Sequence, residues 1–186
     1  RRSRNGYRFK IPLLQRWIME NKPLGRVRAD LESLEPQAES LFREGKNHFA
    51  NGALNEAELL FRRALAINPN HVQARILLGQ IHLSRGNPAE AVSVIESAYG
   101  SDPLAARPDL VAGLLALAEA QTNVDEQWRT LNRAARIEPD LPEVRKMQAA
   151  VLRGWAQRAV DDGDYKVALN AYERLGDGAA ATSVRR

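Results

Sequence analysis

At 186 residues, with 44% hydrophobic and 27% charged side chains, the chain has the composition of folded domains and not of a disordered tail. It contains no cysteine, which excludes disulfides and thiolate metal sites, and no run of 18 apolar residues, which excludes a membrane-spanning helix. The net charge of +4 conceals an asymmetry: residues 1–30 carry nine Lys/Arg against two acidic residues, net +7, and the rest carries 18 against 21, net −3.

Cysteine usage fits a reducing compartment, so the expected location is cytoplasmic. No signal peptide is seen and the chain starts at Arg1, so it is expected to be a fragment or processed form with a further domain upstream. Tyr7-Arg8-Phe9-Lys10-Ile11 alternates apolar and basic residues, the period of a half-buried strand. Pro12 ends it and opens a short helix through Leu13, Leu14, Trp17 and Ile18, stopped at Asn21-Lys22-Pro23. A strand and one short helix cannot bury themselves, so residues 1–22 are expected to be the end of a preceding domain. Leu24, Val27, Leu31 and Leu34 make one apolar stripe, which predicts a linker helix over 23–36.

Residues 38–103 repeat with a period of 34. Gly45, His48, Gly52, Glu56, Ala57, Ala64 and Pro69 recur as Gly79, His82, Gly86, Glu90, Ala91, Ala98 and Pro103. About two identities are expected by chance in such a window, and 34 residues is the length of a helix–turn–helix repeat. Gly45, Ala57 and Ala64 let paired helices approach, Gly52 and Gly86 suit the turn inside each hairpin, and Pro69 and Pro103 are expected to end the second helices. Phe61 and Ile95 are expected to fill the space between neighbours.

A third, irregular repeat is expected to have helices at 109–121 and 126–137, ended by Pro139. Its offset is 36 residues, and the two extra are expected in a loop at 104–107. Leu115 stands where the glycine recurs and Gln127 where the alanine recurs, with Trp128 beside it. A long helix follows through Val144, Met147, Val151, Leu152, Trp155 and Ala159. Then Gly163-Asp164-Tyr165, Ala168 and Tyr172 restore the pattern, and Asp177 is a candidate N-cap for a closing helix.

On these residues the chain resembles tetratricopeptide repeat proteins. The resemblance implies an all-α solenoid of about four hairpins over 37–176 (37–70, 71–103, 108–140 and 149–176), with a C-terminal cap at 177–186. In that family the first helices of the hairpins line a concave groove. Projected here, the groove would show Glu39, Phe42, Lys46, Phe49, Gln73, Ile76, Gln80, Leu83, Asp109, Ala112, Ala116, Glu119, Arg153 and Gln157. Phe42, Phe49, Ile76 and Leu83 would make its first half apolar, fit for an amphipathic helix or an extended apolar peptide. An equal alternative is that the linker helix or a second copy of the chain fills the groove. Relatives that grip chaperone C-termini use a Lys and Asn pair on the first groove helix. Phe42 and Lys46 stand there instead, so that clamp is not reproduced.

A second resemblance covers about twenty residues. Tyr7-Arg8-Phe9 leading into Pro12-Leu13-Leu14-Gln15-Arg16-Trp17, then a linker and repeats, is similar to bacterial STAND-type signalling NTPases. It implies that residues 1–22 end a winged-helix-like module and that the nucleotide site lies upstream.

Catalytic patterns are missing. Neither a phosphate loop nor G-x-S-x-G occurs, and the carboxylates, including Glu56, Glu58, Asp161, Asp162 and Asp164, read as solvated faces and caps. His48 and His82 occupy a helix-packing position without a third metal ligand at matching spacing, and His71 sits in a turn with no partner in view. The expectation is a non-enzymatic protein-binding or sensor module without cofactor or metal, its partner a protein, a peptide or a second copy of the chain, with no membrane contact. The alternative is nucleic-acid binding by Arg1, Arg2, Arg4, Arg8 and Lys10, which interleave with Tyr7 and Phe9.

Overall fold

The computed structural model describes residues 24–176 and 178–184, with side chains over 36–176 and 180–184. Every element among them is a helix: α1 (Leu24–Ala50), α2 (Leu54–Ile67), α3 (Val72–Ser84), α4 (Pro88–Ser101), α5 (Pro103–Ala120), α6 (Val124–Ile137), α7 (Pro142–Asp161), α8 (Tyr165–Leu175) and α9 (Gly178–Val184). The expected strand at 7–11, its short helix and the Asp177 cap lie outside the described residues. The chain divides into two compact units, Arg1–Pro69 and Asn70–Arg186.

In the first unit α1 and α2 form one hairpin. Gly45 makes it tight: a Cβ there would stand 2.8 Å from the ring of Phe61, which is fully buried. The expected break at Pro36 is absent, because α1 runs through Pro36 as one helix. Proline removes one backbone donor without forbidding the next turn, and that turn is held down by Ala38, which is fully buried.

The second unit holds the hairpins α3–α4, α5–α6 and α7–α8, with α9 packed on α8. Its larger core joins Ile76 of α3, Val92 and Ile95 of α4, Leu110 and Leu114 of α5, and Val144 of α7. A smaller core of Leu152, Ala156 and Ala171 is covered by Trp128 and Trp155. Trp128 thus packs on the next hairpin. Phe61 seals its own hairpin against Gly45, whereas Ile95 packs on Gly79 of its own hairpin and also, as expected, against the next one, where it reaches Gly113 of α5.

Three hairpins close with the same chemistry. At Gly52, Gly86 and Gly163 the backbone is left-handed, with φ of 77°, 73° and 77°. The following N–H donates to the carbonyl five residues back (Ala53 to His48, 2.9 Å; Asn87 to His82, 2.9 Å; Asp164 to Ala159, 2.7 Å). This glycine-terminated stop satisfies carbonyls that the helix end would otherwise leave bare.

The remaining hairpin, α5–α6, lacks that glycine and closes with side chains. Asn123 Oδ1 accepts from the N–H groups of Asp125 (2.9 Å) and Glu126 (3.2 Å), capping α6. Gln127 Nε2 donates to the Ala118 carbonyl at 2.9 Å, and Thr130 Oγ1, buried, donates to Gln121 Oε1 at 2.9 Å. The apparent degeneracy at Gln127 is therefore a polar clasp.

The two extra residues do not form a loop at 104–107. They lengthen α5, which begins at Pro103 and contains Pro108. Asp102 makes this abrupt restart feasible. Its N–H closes α4 on the Ala98 carbonyl, and its Oδ1 accepts from Leu104 and Ala105 N–H, both at 3.1 Å. Pro103 consequently opens a helix and does not end one, a position where its missing N–H costs nothing. Gly113, two residues before Leu115, supplies the close approach in α5, and it faces Val92 of the preceding helix.

Candidate interaction surface

The projected groove residues fall into separate groups. In the first unit, Phe42 is half-buried because its ring packs on Phe61, with centroids 5.9 Å apart and planes tilted by 38°. Lys46, one turn on, is exposed, and Phe49 is half-buried. Glu39 pairs with Arg43 at 3.5 Å along the same helix. Among the described residues of this helix face, Lys46 stands as an exposed cation beside two aromatic edges.

In the second unit, Gln73 on α3 is exposed and Leu83 is half-buried against the larger core. Ile76 is corrected: it is 4% exposed and belongs to that core, so it offers no groove contact. It shares one buried cluster with Val92 and Ile95 of α4 and Leu110 of α5. Gln80 is not a free donor either. Its Nε2 donates to Asp109 Oδ1 at 2.6 Å, bridging α3 and α5, the first helices of consecutive hairpins. Ala112 and Glu119 on α5 are exposed and Ala116 is half-buried. On α7, Arg153 and Gln157 are exposed, with Gln157 Nε2 donating to Asp161 Oδ1 at 3.0 Å. The surface left available on these helices is more polar than the sequence suggests, because its largest aliphatic member is spent on packing.

The histidines also sort by geometry. His71 is the N-cap of α3, its Nδ1 accepting from Ala74 N–H at 3.3 Å, so the partner missing from the sequence lies three residues ahead. His48 and His82 are half-buried, and His82 Nδ1 is enclosed with no hydrogen-bond partner among the described residues. Among the described residues no group of three or more His, Asp or Glu side chains is placed to hold a metal ion. No helix among them is long and apolar enough to cross a membrane. Arg1, Arg2, Arg4, Arg8 and Lys10 lie outside the described residues.

Helical hairpins sealed by a glycine and closed by a left-handed turn define an all-α helical-repeat protein. Residues 48–118 match a tetratricopeptide repeat family model, and over that stretch the chain is built of tetratricopeptide repeats. Among solved structures, the TPR domain of P58(IPK) is 20% identical with a TM-score of 0.50; the match covers 80% of this chain and 49% of that one, so the chain spans about half of it. The first TPR of Spaghetti (RPAP3), bound to an HSP90 peptide, is 18% identical with a TM-score of 0.49, covering 66% of this chain and 95% of that one. MamA from Desulfovibrio magneticus RS-1 is 18% identical with a TM-score of 0.44, covering 89% and 90%. At these identities the likeness concerns the fold. No curated protein matches the chain.

Proposed function

We propose that the chain is a protein-interaction module that captures a peptide or a partner helix on the first helices of its hairpins. The observation that supports this most directly is the Gln80–Asp109 bond. It ties α3 to α5 before any ligand arrives, so less ordering entropy opposes capture. The exposed side chains on these helices, Lys46 in the first unit and Gln73 and Arg153 in the second, are those we assign to partner contact. Phe42 and Lys46 stand where the chaperone-binding relatives carry their carboxylate-gripping pair, which directs the partner assignment away from chaperone tails. The finer proposal is that this capture regulates an upstream NTPase or an assembly, on the strength of the strand-and-helix pattern at 7–20.

Selection from a displayed random-peptide library on the immobilised chain tests the proposal. A recurring peptide motif is expected, and Lys46→Glu or Gln73→Arg should weaken it by about tenfold, the equivalent of ~1.4 kcal/mol, with unchanged melting. Enrichment of no motif, or of motifs indifferent to both substitutions and to Arg153→Glu, would overturn it.

A further inference from the structure

We infer that the arginine-bearing face of α6, the second helix of its hairpin, is a docking surface for an acidic peptide segment of a partner protein. Arg129, Arg133 and Arg136 stand at helical spacing in one stripe, rising about 10 Å along α6 at 1.5 Å per residue. With Asn132 and Ala135 they border an open cleft of about 650 Å³. Around the same helix, Trp128, Arg145, Gln148 and Arg174 border a second cleft of about 360 Å³. The two are joined structurally, since Gln148 Nε2 donates to Asn132 Oδ1 at 2.9 Å and pins α7 to α6 there.

Charge on this face is only partly matched locally. Arg133 pairs with Glu96 of α4, and Arg145 pairs with Asp140 at 2.6 Å. Arg129, Arg136 and Arg174 have no ion pair or hydrogen bond among the described residues. Composition does not explain the excess, because residues 70–186 carry 14 Lys/Arg against 15 Asp/Glu. Nor does the helix dipole: it favours cations at the last turn, where only Arg136 stands, whereas Arg129 lies near the middle of α6.

Three uncompensated guanidinium groups beside apolar arginine stems suit carboxylates, which they can bind through paired, charge-assisted hydrogen bonds. Carboxylates seven apart on a partner helix stand ~10 Å apart, the rise between Arg129 and Arg136. Residues three apart in an extended peptide span about the same ~10 Å. A nucleic acid is the poorer fit, since strong backbone binding draws on about six to ten phosphate contacts, more than this face provides.

Fluorescence anisotropy with a labelled oligo-glutamate peptide, across a salt series, tests the assignment on the whole chain. The chain should bind the peptide at low salt and release it as salt rises. Arg129→Gln with Arg136→Gln should weaken binding by about tenfold, while Arg107→Gln on α5, an exposed arginine outside both surfaces, leaves it unchanged. Both arginines of the double variant are exposed, so its melting temperature should match the parent's, and Arg129→Lys with Arg136→Lys should restore much of the affinity. The inference is overturned by no peptide binding at low salt, by equal loss in Arg107→Gln, or by an oligonucleotide of equal charge binding more tightly than the peptide.

Discussion

Gln80 Nε2 donates to Asp109 Oδ1 at 2.6 Å, and the two residues belong to the first helices of consecutive hairpins. A hydrogen bond to a charged group contributes about 1.5–3 kcal/mol when partly buried, enough to hold α3 and α5 in register. A double-mutant cycle with Gln80→Ala and Asp109→Ala is expected to give a coupling energy of about 1 kcal/mol by urea denaturation. Strict additivity would show that the contact does not link the helices.

Two glycines on helices should respond to alanine with opposite signs. A Cβ on Gly79 would collide with Ile95 Cγ1 and stand 2.6 Å from Cδ1, and Ile95 is fully buried. Overpacking of this kind costs about 1–3 kcal/mol, which outweighs the ~1 kcal/mol of helix propensity that alanine returns. Gly154 has nothing within 4 Å, so there the propensity gain stands alone. Gly79→Ala should lower the denaturation midpoint and Gly154→Ala should raise it. Adding Ile95→Ala to Gly79→Ala should cost less than the sum of the single changes.

Gln127→Ala separates the repeat pattern from the structure. By pattern, alanine belongs at this place and should stabilise. In the structure the amide holds the Ala118 carbonyl, whose usual donor four residues on has left α5. Losing that bond should cost about 1 kcal/mol net, measured as a lower melting temperature. An unchanged or higher value would mean that the clasp contributes nothing.

Asp102 serves two helices with one residue. Asp102→Ala removes the acceptor for Leu104 and Ala105 N–H, and loss of such a cap costs about 0.5–2 kcal/mol. Asp102→Asn keeps an acceptor oxygen and should retain most of the stability. Equal damage from both substitutions would place the effect in the charge and not in the cap.

The period of 34 identified the helical hairpins because close helix approach and left-handed turns leave few residue choices. Gly45, Gly79, Gly52 and Gly86 each stand where a side chain would clash or strain the backbone. That signal weakened wherever polar chemistry replaced glycine. The closure of α5–α6 by Asn123, Gln127 and Thr130 leaves no periodic trace, since a side chain reaching back nine residues obeys no repeat.

Proline misled for a related reason. Pro36, Pro103 and Pro108 all mark helix boundaries by local preference, yet Pro36 and Pro108 lie inside helices and Pro103 opens one. Capping by Asp102 and burial of Ala38, Ala106 and Leu110 outweigh one lost backbone hydrogen bond.

Local sterics and apolar spacing sufficed for the fold class and the hairpins, because each depends on residues within one repeat. The surface did not follow from them. Whether Ile76 faces a ligand or the core, whether Gln80 is free or held by Asp109, and whether Arg129 and Arg136 are neutralised depend on side chains from other helices. Burial and pairing are properties of neighbours that only folding brings together.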